Sequence, residues 1–451
     1  MPAGQMHGAS QHSSTLFSAL IDAGSTGHLL PASADRPSNS MRASAYNLLL
    51  YSPLGGGHHP NFLRLVAGAF GRVGVQVHIA TTEKVAKSQE LSAFRADGRS
   101  IPIITLPACE GGGRVALLRR QVEQVQRLAQ EPRWNRMVLP AGDGLLQTIG
   151  LATQCGVRIF RPGLPVEVLA LRGSVAYPSS PIMRLKHQAS LHFLERAPAT
   201  IRHHLDPVFI DWTRVQPPPS TEWRLMPDPV EIPASLDRQT ARARLGIATD
   251  GVVVGCVGAL DERKGIRILV DAFEAARLSG NARLLLVGMC SPGAKACVAR
   301  LSGQPRFAGR VHLCDEWVTD EKMMTALAAM DLVVAAYPGH VGSASIVLRT
   351  MAAERPMLGS PTPWIARHVS IYAAGWVANV DDREAFASDL VQAVASASSW
   401  RPSSRVRELL AFNSPENFMA HWTRATVAEL GCSPPFTLRE PPTWRSSDEP
   451  G

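Results

Sequence analysis

The chain has 451 residues, 45% of them hydrophobic and 19% charged, with a formal charge of +8 at pH 7. That length and balance predict two or three globular domains with sizeable cores, and no apolar run reaches the ~18 residues of a membrane span. The positive balance points to an anionic substrate such as a nucleotide-sugar, a phospholipid or an acidic glycan, or to an Arg-rich solvated surface, while the lack of a Lys/Arg block interleaved with aromatics argues against nucleic acid.

Residues 1–43 are rich in Ser, Ala, Gly, Pro and His without periodicity and read as a disordered tail with no signal peptide. The seven Cys are scattered, with no CxxC or Cys/His metal spacing, so reduced thiols in a cytoplasmic protein and no metal site are expected. Tyr46–Tyr51 reads as a strand. The turn Ser52–Pro60 follows, then a helix face at Phe62, Leu65, Val66, Ala69 and Phe70, then a strand over Val75–Ala80. This is a β-α-β unit. Its Gly55, Gly56 and Gly57 would let backbone approach a ligand, or merely form a tight turn, and His58 and His59 stand beside them. Ile101–Leu106 predicts a strand. Arg114–Gln130 predicts a helix whose Arg114, Arg119, Arg120 and Arg127 either meet anionic lipid in a peripheral membrane contact or are simply solvated. Met137–Gly144 reads as a strand ending in a polar turn before a helix over Leu145–Thr153. Asp143 therefore sits at a strand's carboxyl end, where open α/β sheets bind ligands. It is a candidate catalytic or acceptor-binding group, or an N-cap. Arg184–Leu194 looks helical and Ala199–His204 looks like a short strand.

Prolines cluster over 213–233, which reads as a linker between a first domain at 44–212 and a second at 234–410. The second opens with a short helix, Asp237–Leu245. The run Val252–Val257 then predicts a strand buried on both faces. After it, Ile266, Leu269, Val270 and Phe273 lie on one helical face. Strand, loop and helix start, with Lys264 and Gly265 at that start, suit a diphosphate, although no Walker loop is present. Leu284–Gly288, Val311–Leu313 and Asp331–Ala336 read as further strands, so the whole predicts a parallel doubly wound sheet. Pro338–Ala352 is a Gly/Ser-rich segment opening a helix. The amides near Gly342–Ser345 and the hydroxyls of Ser343 and Ser345 either complete a diphosphate cradle or cap an ordinary helix.

A glycine, four loop residues, Arg263-Lys264-Gly265 and an amphipathic helix resemble the donor-binding stretch of glycosyltransferase family 4. The resemblance spans roughly 46–422 and is stronger in the second half. It implies the GT-B fold: α/β, two Rossmann-like doubly wound parallel-sheet domains facing a cleft. It also implies that Trp223–Val230 opens the second domain and that the loop Cys314–Val318 packs on the nucleotide base. A last helix over 411–432 would cross back onto the first domain, ahead of a disordered tail at 433–451. Donor-binding residues would be Gly258, Arg263, Lys264, Gly342, Ser343, Ser345 and Arg349, with Lys264 and Asp143 catalytic and Gly55–Gly57 at the cleft.

Three positions depart from the family pattern. Ala259 stands where the family has Arg, and Val341 and Arg349 stand where it has two Glu. Arg349 would either supply a compensating cation to the diphosphate or mark a site that has lost catalysis. The resulting reading is a metal-independent transfer from a nucleotide-diphosphate sugar to a glycan, lipid or small-molecule acceptor, with no cofactor and with the retention of configuration that the resemblance implies. A non-catalytic nucleotide- or partner-binding protein is the alternative. A sugar-nucleotide epimerase is a third reading, with only Asp143 as an acid–base carboxylate.

Overall fold

The computed structural model describes residues 45–53, 59–88, 91, 101–107, 113–140, 142–215, 222–232 and 236–442. The expectations for residues 1–43, for Gly55, Gly56 and Gly57 and for His58 lie outside these.

The first domain is a seven-stranded sheet in the order β3-β2-β1-β4-β5-β6-β7. Its strands are β1 (Asn47–Tyr51), β2 (Gln76–Thr82), β3 (Ile103–Leu106), β4 (Arg136–Leu139), β5 (Val166–Ala170), β6 (Ile201–His204) and β7 (Trp223–Leu225). Between them run α1 (His59–Val73), α2 (Glu83–Ala86), α3 (Arg114–Ala129), α4 (Asp143–Gln154), α5 (Pro181–Arg196) and α6 (Pro207–Val215). The second domain is a six-stranded sheet in the order β10-β9-β8-β11-β12-β13. Its strands are β8 (Val253–Val257), β9 (Arg283–Val287), β10 (Val311–Cys314), β11 (Leu332–Ala335), β12 (Met357–Gly359) and β13 (Gly375–Val377). Its helices are α7 (Arg238–Arg244), α8 (Ile266–Ala275), α9 (Pro292–Ser302), α10 (Asp320–Ala329), α11 (Ser345–Ala352), α12 (Pro363–Ile371), α13 (Arg383–Ala397), α14 (Ser404–Phe412) and α15 (Pro415–Leu430). All strand pairs in both sheets are parallel.

The apolar runs are continuous because each sheet is covered on both faces. Successive side chains point to opposite sides: Leu49 joins one core of the first domain while Leu48 and Leu50 join the other. In the second domain Val253 and Val257 face one core, and Val254 and Cys256 the other. In each sheet the chain winds outward from one strand, then returns to that strand's other side. The switch points are therefore β1/β4 and β8/β11, where side chains and ligands find a crevice beyond the strand ends.

Three boundary expectations are corrected. β7 does not open the second domain. It pairs with β6, Arg202 opposite Trp223, and Trp223 packs into the first domain's core, because a short apolar strand is best buried on the nearest open sheet edge. The proline-rich linker therefore does not begin at Thr213, which lies inside α6. The segment 433–442 is not a loose tail: Phe436 is buried with Arg72 above its ring, and Asn417 exchanges two hydrogen bonds with the Arg439 backbone. The returning helix is α15, Pro415–Leu430, inside the expected 411–432. It packs on α1 through Phe418 and Phe62, 5.2 Å apart, and Glu429 reaches Arg136 at the foot of β4. Among the described residues no helix is long and apolar enough to cross a membrane.

Candidate functional site

At the β8/β11 switch point three loops stack so closely that only glycine fits. Gly265 has φ +66°, and a Cβ on it would lie 1.9 Å from the Ala336 carbonyl oxygen. Gly288 has φ +143°, and its Cβ would lie 1.7 Å from the Gly258 carbonyl oxygen. Gly258 itself has φ +114°, and a Cβ there would press on Lys264 Nζ at 2.9 Å. L-residues avoid this backbone region, and the space is absent in any case. The 3-10 turn that carries Lys264 is capped by Asp261, whose Oδ1 accepts the Lys264 amide at 3.0 Å. Lys264 consequently folds back over Gly258. Its Nζ donates to Tyr337 Oη at 2.7 Å and lies 4.9 Å from the centre of that ring.

Burial opposes the charge on Lys264, but the Tyr337 and Cys256 side chains outweigh it and hold its pKa above the usual lysine value. Burial likewise raises the Tyr337 phenol. Lys264 is thus an ammonium at neutral pH. Among the described residues it has no carboxylate ion partner; its one hydrogen-bonding side chain is the Tyr337 phenol. Arg263 is exposed and turns to Asp261 Oδ2 at 3.2 Å, within its own turn. Ala259 is exposed.

The loop after β11 carries the second group of expected residues. His340 Nε2–H donates to the Ser343 carbonyl at 3.2 Å, its ring meets Tyr337 edge-on, and burial lowers its pKa, so it is a neutral strut. The Ser343 hydroxyl is not free for phosphate: it donates to Asp228 Oδ2, and Asp228 in turn is held through its amide by Asn413. Ser343 thereby ties this loop to the segment joining the domains. Ser345 begins α11. Its hydroxyl has no hydrogen-bond partner among the described residues, leaving it and the first amides of the helix as the donors here. Arg349 does not reach back to Lys264. Its Nη1 pairs with Asp320 Oδ1 at 2.8 Å, because α10 begins beside α11 and offers a nearby carboxylate. The expected compensation for Ala259 therefore gains no support from the position of Arg349.

At the β1/β4 switch point Asp143 is the first residue of α4, and it makes no cap to its own helix. Its Oδ1 instead accepts the amides of Leu171 at 2.8 Å and Arg172 at 3.5 Å, beyond β5. Burial pushes its pKa up to about 6, against the pull of those two amides. Asp143 lines a cavity of about 590 Å³ together with Leu117 and Gln121 of α3, Gln147 of α4 and Lys186 and His187 of α5. It is the only carboxylate in that lining among the described residues. Pro53 and His59 also line it.

The two halves of the site meet. A Cβ on Gly342, at φ +87°, would lie 3.0 Å from the Leu171 carbonyl oxygen. The loop that Asp143 fixes therefore rests against the loop after β11. Around this contact Tyr177 of the first domain is buried in the second domain's core and donates to Asp206 Oδ2 at 2.6 Å, and Asp211 pairs with Arg367 at 2.7 Å. Sequence reasoning missed Tyr337 and the Leu171–Arg172 loop. Tyr337 had a signal, as the second residue beyond a buried strand at a switch point. The Leu171 loop had none, because β5 itself was not foreseen.

Residues 251–396 match the family described as glycosyl transferases group 1. A comparison with curated proteins finds no match. Among solved structures, the chain is similar to sucrose-phosphate synthase from Thermosynechococcus elongatus, with 18% identity, a TM-score of 0.66 and coverage of 86% of this chain and 100% of that one. It is also similar to a glycosyltransferase from Rickettsia africae, with 12% identity, a TM-score of 0.62 and coverage of 85% and 98%. HepE from Anabaena, solved in complex with UDP-glucose, gives 14% identity, a TM-score of 0.54 and coverage of 85% and 99%. These likenesses establish the two-domain GT-B fold.

Proposed function

We propose that this protein, whose residues 251–396 match glycosyl transferases group 1, transfers a sugar from a nucleotide-diphosphate donor to an acceptor held on the first domain's side of the cleft. The observation that carries this reading is the Lys264 ammonium. It is held at the β8/β11 switch point by a neutral phenol rather than neutralised by a carboxylate. A half-buried ammonium with no carboxylate partner favours a dianionic group as its partner.

In the transfer the bond from the anomeric carbon to the diphosphate breaks, and a bond to the acceptor oxygen forms. Negative charge grows on the departing diphosphate, which takes up the proton that the acceptor hydroxyl loses. Lys264 and the amides at the start of α11 stabilise that charge. A preorganised donor of this sort is worth roughly 2.7–4 kcal/mol at the transition state. Gly258 and Gly288 keep side chains out of the diphosphate's way. Trp317, 70% exposed beyond β10, offers a ring to the base. Asp143 lies on the acceptor side: Oδ1 positions the Leu171 loop, while Oδ2, without a hydrogen bond among the described residues, is open to an acceptor hydroxyl. Retention of anomeric configuration and independence from metal follow the resemblance to family 4.

HepE binds UDP-glucose, which makes a uridine nucleotide the first donor to try. Thermal unfolding with UDP, GDP, ADP and their sugars tests the donor site. A ligand at about 100 times its dissociation constant stabilises by about 2.7 kcal/mol. One nucleotide is expected to raise the midpoint in the native protein and not in Lys264→Ala, and donor turnover is expected to fall by roughly 10²–10³ in that variant. Turnover unchanged in Lys264→Ala would refute the assignment. The pairing of Arg349 with Asp320 favours the second reading, a nucleotide-binding protein without transferase activity. That reading predicts the shift without donor hydrolysis or transfer.

A further inference from the structure

Helix α5 is anchored at one end only. A Cβ on Gly150 of α4 would lie 1.7 Å from the Phe193 carbonyl oxygen, so the two backbones touch there, and Leu194 is the helix's one buried residue. Residues 181–186 at the other end are all exposed. This tip is well-formed helix: Ser180 accepts the Met183 amide and a proline occupies the first turn. Yet it presents Ile182 at 82%, Leu185 at 69% and Met183 at 40% exposure. Scattered apolar side chains on a surface mean little, but a cluster of aliphatic ones on a projecting tip marks a contact surface. Val115, 55% exposed, stands at the start of α3, whose Leu117 lines the same cavity as Met183 and Lys186.

The charges carried on the tip itself are both positive, Arg184 and Lys186, while the carboxylate of Asp143 stands in the cavity beside it. Arg184 and Lys186 are exposed and have no ion pair among the described residues. Aliphatic side chains interleaved with unpaired cations on one helix end match a headgroup–acyl boundary. A protein partner would require matched carboxylates as well as an apolar patch.

We propose that the tip of α5, Ile182–Lys186, docks this protein on an anionic lipid bilayer surface. Ile182, Met183 and Leu185 enter the acyl boundary, and Arg184 and Lys186 meet phosphate headgroups. The cavity beside the tip then opens toward the membrane. Docking is independent of the transferase reading, because it needs neither donor nor turnover.

Vesicle flotation of the full chain tests it. The protein is expected to float with phosphatidylcholine vesicles that contain phosphatidylglycerol, and to remain behind with phosphatidylcholine alone. Ile182→Ser/Leu185→Ser and Arg184→Ala/Lys186→Ala should each lower partitioning at least about tenfold, with unfolding midpoints unchanged because all four positions are exposed. Failure to float with anionic vesicles would overturn the proposal, as would flotation unaffected by either double variant. So would a concentration-dependent dimer that Ile182→Ser/Leu185→Ser dissolves in the absence of vesicle binding, which would assign the tip to a second copy of the chain.

Discussion

At the second domain's switch point the chain presents mainly backbone. Gly258, Gly265 and Gly288 bring three loops into contact, and one lysine is folded across them. At the first domain's switch point it presents side chains from α3, α4 and α5 around a cavity, with Asp143 fixing the neighbouring loop. The topology of the two crevices is the same and the material differs. On the proposed function the second crevice would hold a diphosphate, a compact anion that amides, a helix start and one cation can hold, and the first would hold an acceptor, whose shape calls for side chains from separate helices.

The contrast can be broken most directly at its glycines. Gly265→Ala forces a Cβ to 1.9 Å from the Ala336 oxygen, and we expect a loss of roughly 3 kcal/mol or a failure to fold. Gly156→Ala, at a comparable φ of +84° at the end of α4 but with nothing within 4 Å, is expected to cost about 1 kcal/mol. Urea unfolding of the two variants separates backbone strain from steric contact. Equal losses would mean that the stacked loops can part, and that the second crevice is no more rigid than the first.

A smaller effect is expected at Asp143. Its folded pKa is raised to about 6 from an ordinary 3.8, so the folded state holds the proton more tightly than the unfolded state does. This group's contribution is therefore fully present below about pH 4 and is lost as pH rises toward 6. Asp143→Asn keeps an oxygen for the Leu171 amide and removes the titration. The difference in unfolding free energy between the native protein and the variant should change between pH 4 and 6 and be flat above about 7. A difference independent of pH would show a carboxylate that is well solvated, and a cavity more open than its lining suggests.

The smallest effect is expected from Arg349→Ala. Its partner Asp320 is 63% exposed, and pairs of that kind contribute about 0–1 kcal/mol. Nucleotide affinity should fall far less than in Lys264→Ala, as titration calorimetry would report. Equal losses would place Arg349 at the diphosphate after all, making the second crevice depend on side chains as the first does.

The β/α alternation was legible because strands covered on both faces are written as unbroken apolar runs, as in Val253–Val257, and helices as one apolar stripe, as in Ile266–Phe273. β5 escaped notice because Glu167 interrupts its run. That carboxylate is tolerated in the interior only because Arg136 and His203 meet it at 3.3 and 2.7 Å, and both partners lie far away in the sequence. β7 was visible as a strand, but its sheet was not, since an edge strand takes whichever open edge the fold leaves beside it.

The sequence by itself determined the two doubly wound domains, the glycine-bounded loop that carries Lys264, and the placing of Lys264 and Asp143 at strand ends. These depend on local periodicity and on conformations that only glycine adopts. Only the tertiary structure decided what those side chains do. It gave Lys264 a phenol instead of a carboxylate, sent Arg349 to Asp320, tied Ser343 to Asp228 and turned Asp143 from its own helix to the Leu171 loop. Each outcome is a competition among polar groups distant in the chain and near in space, which no local pattern of residues records.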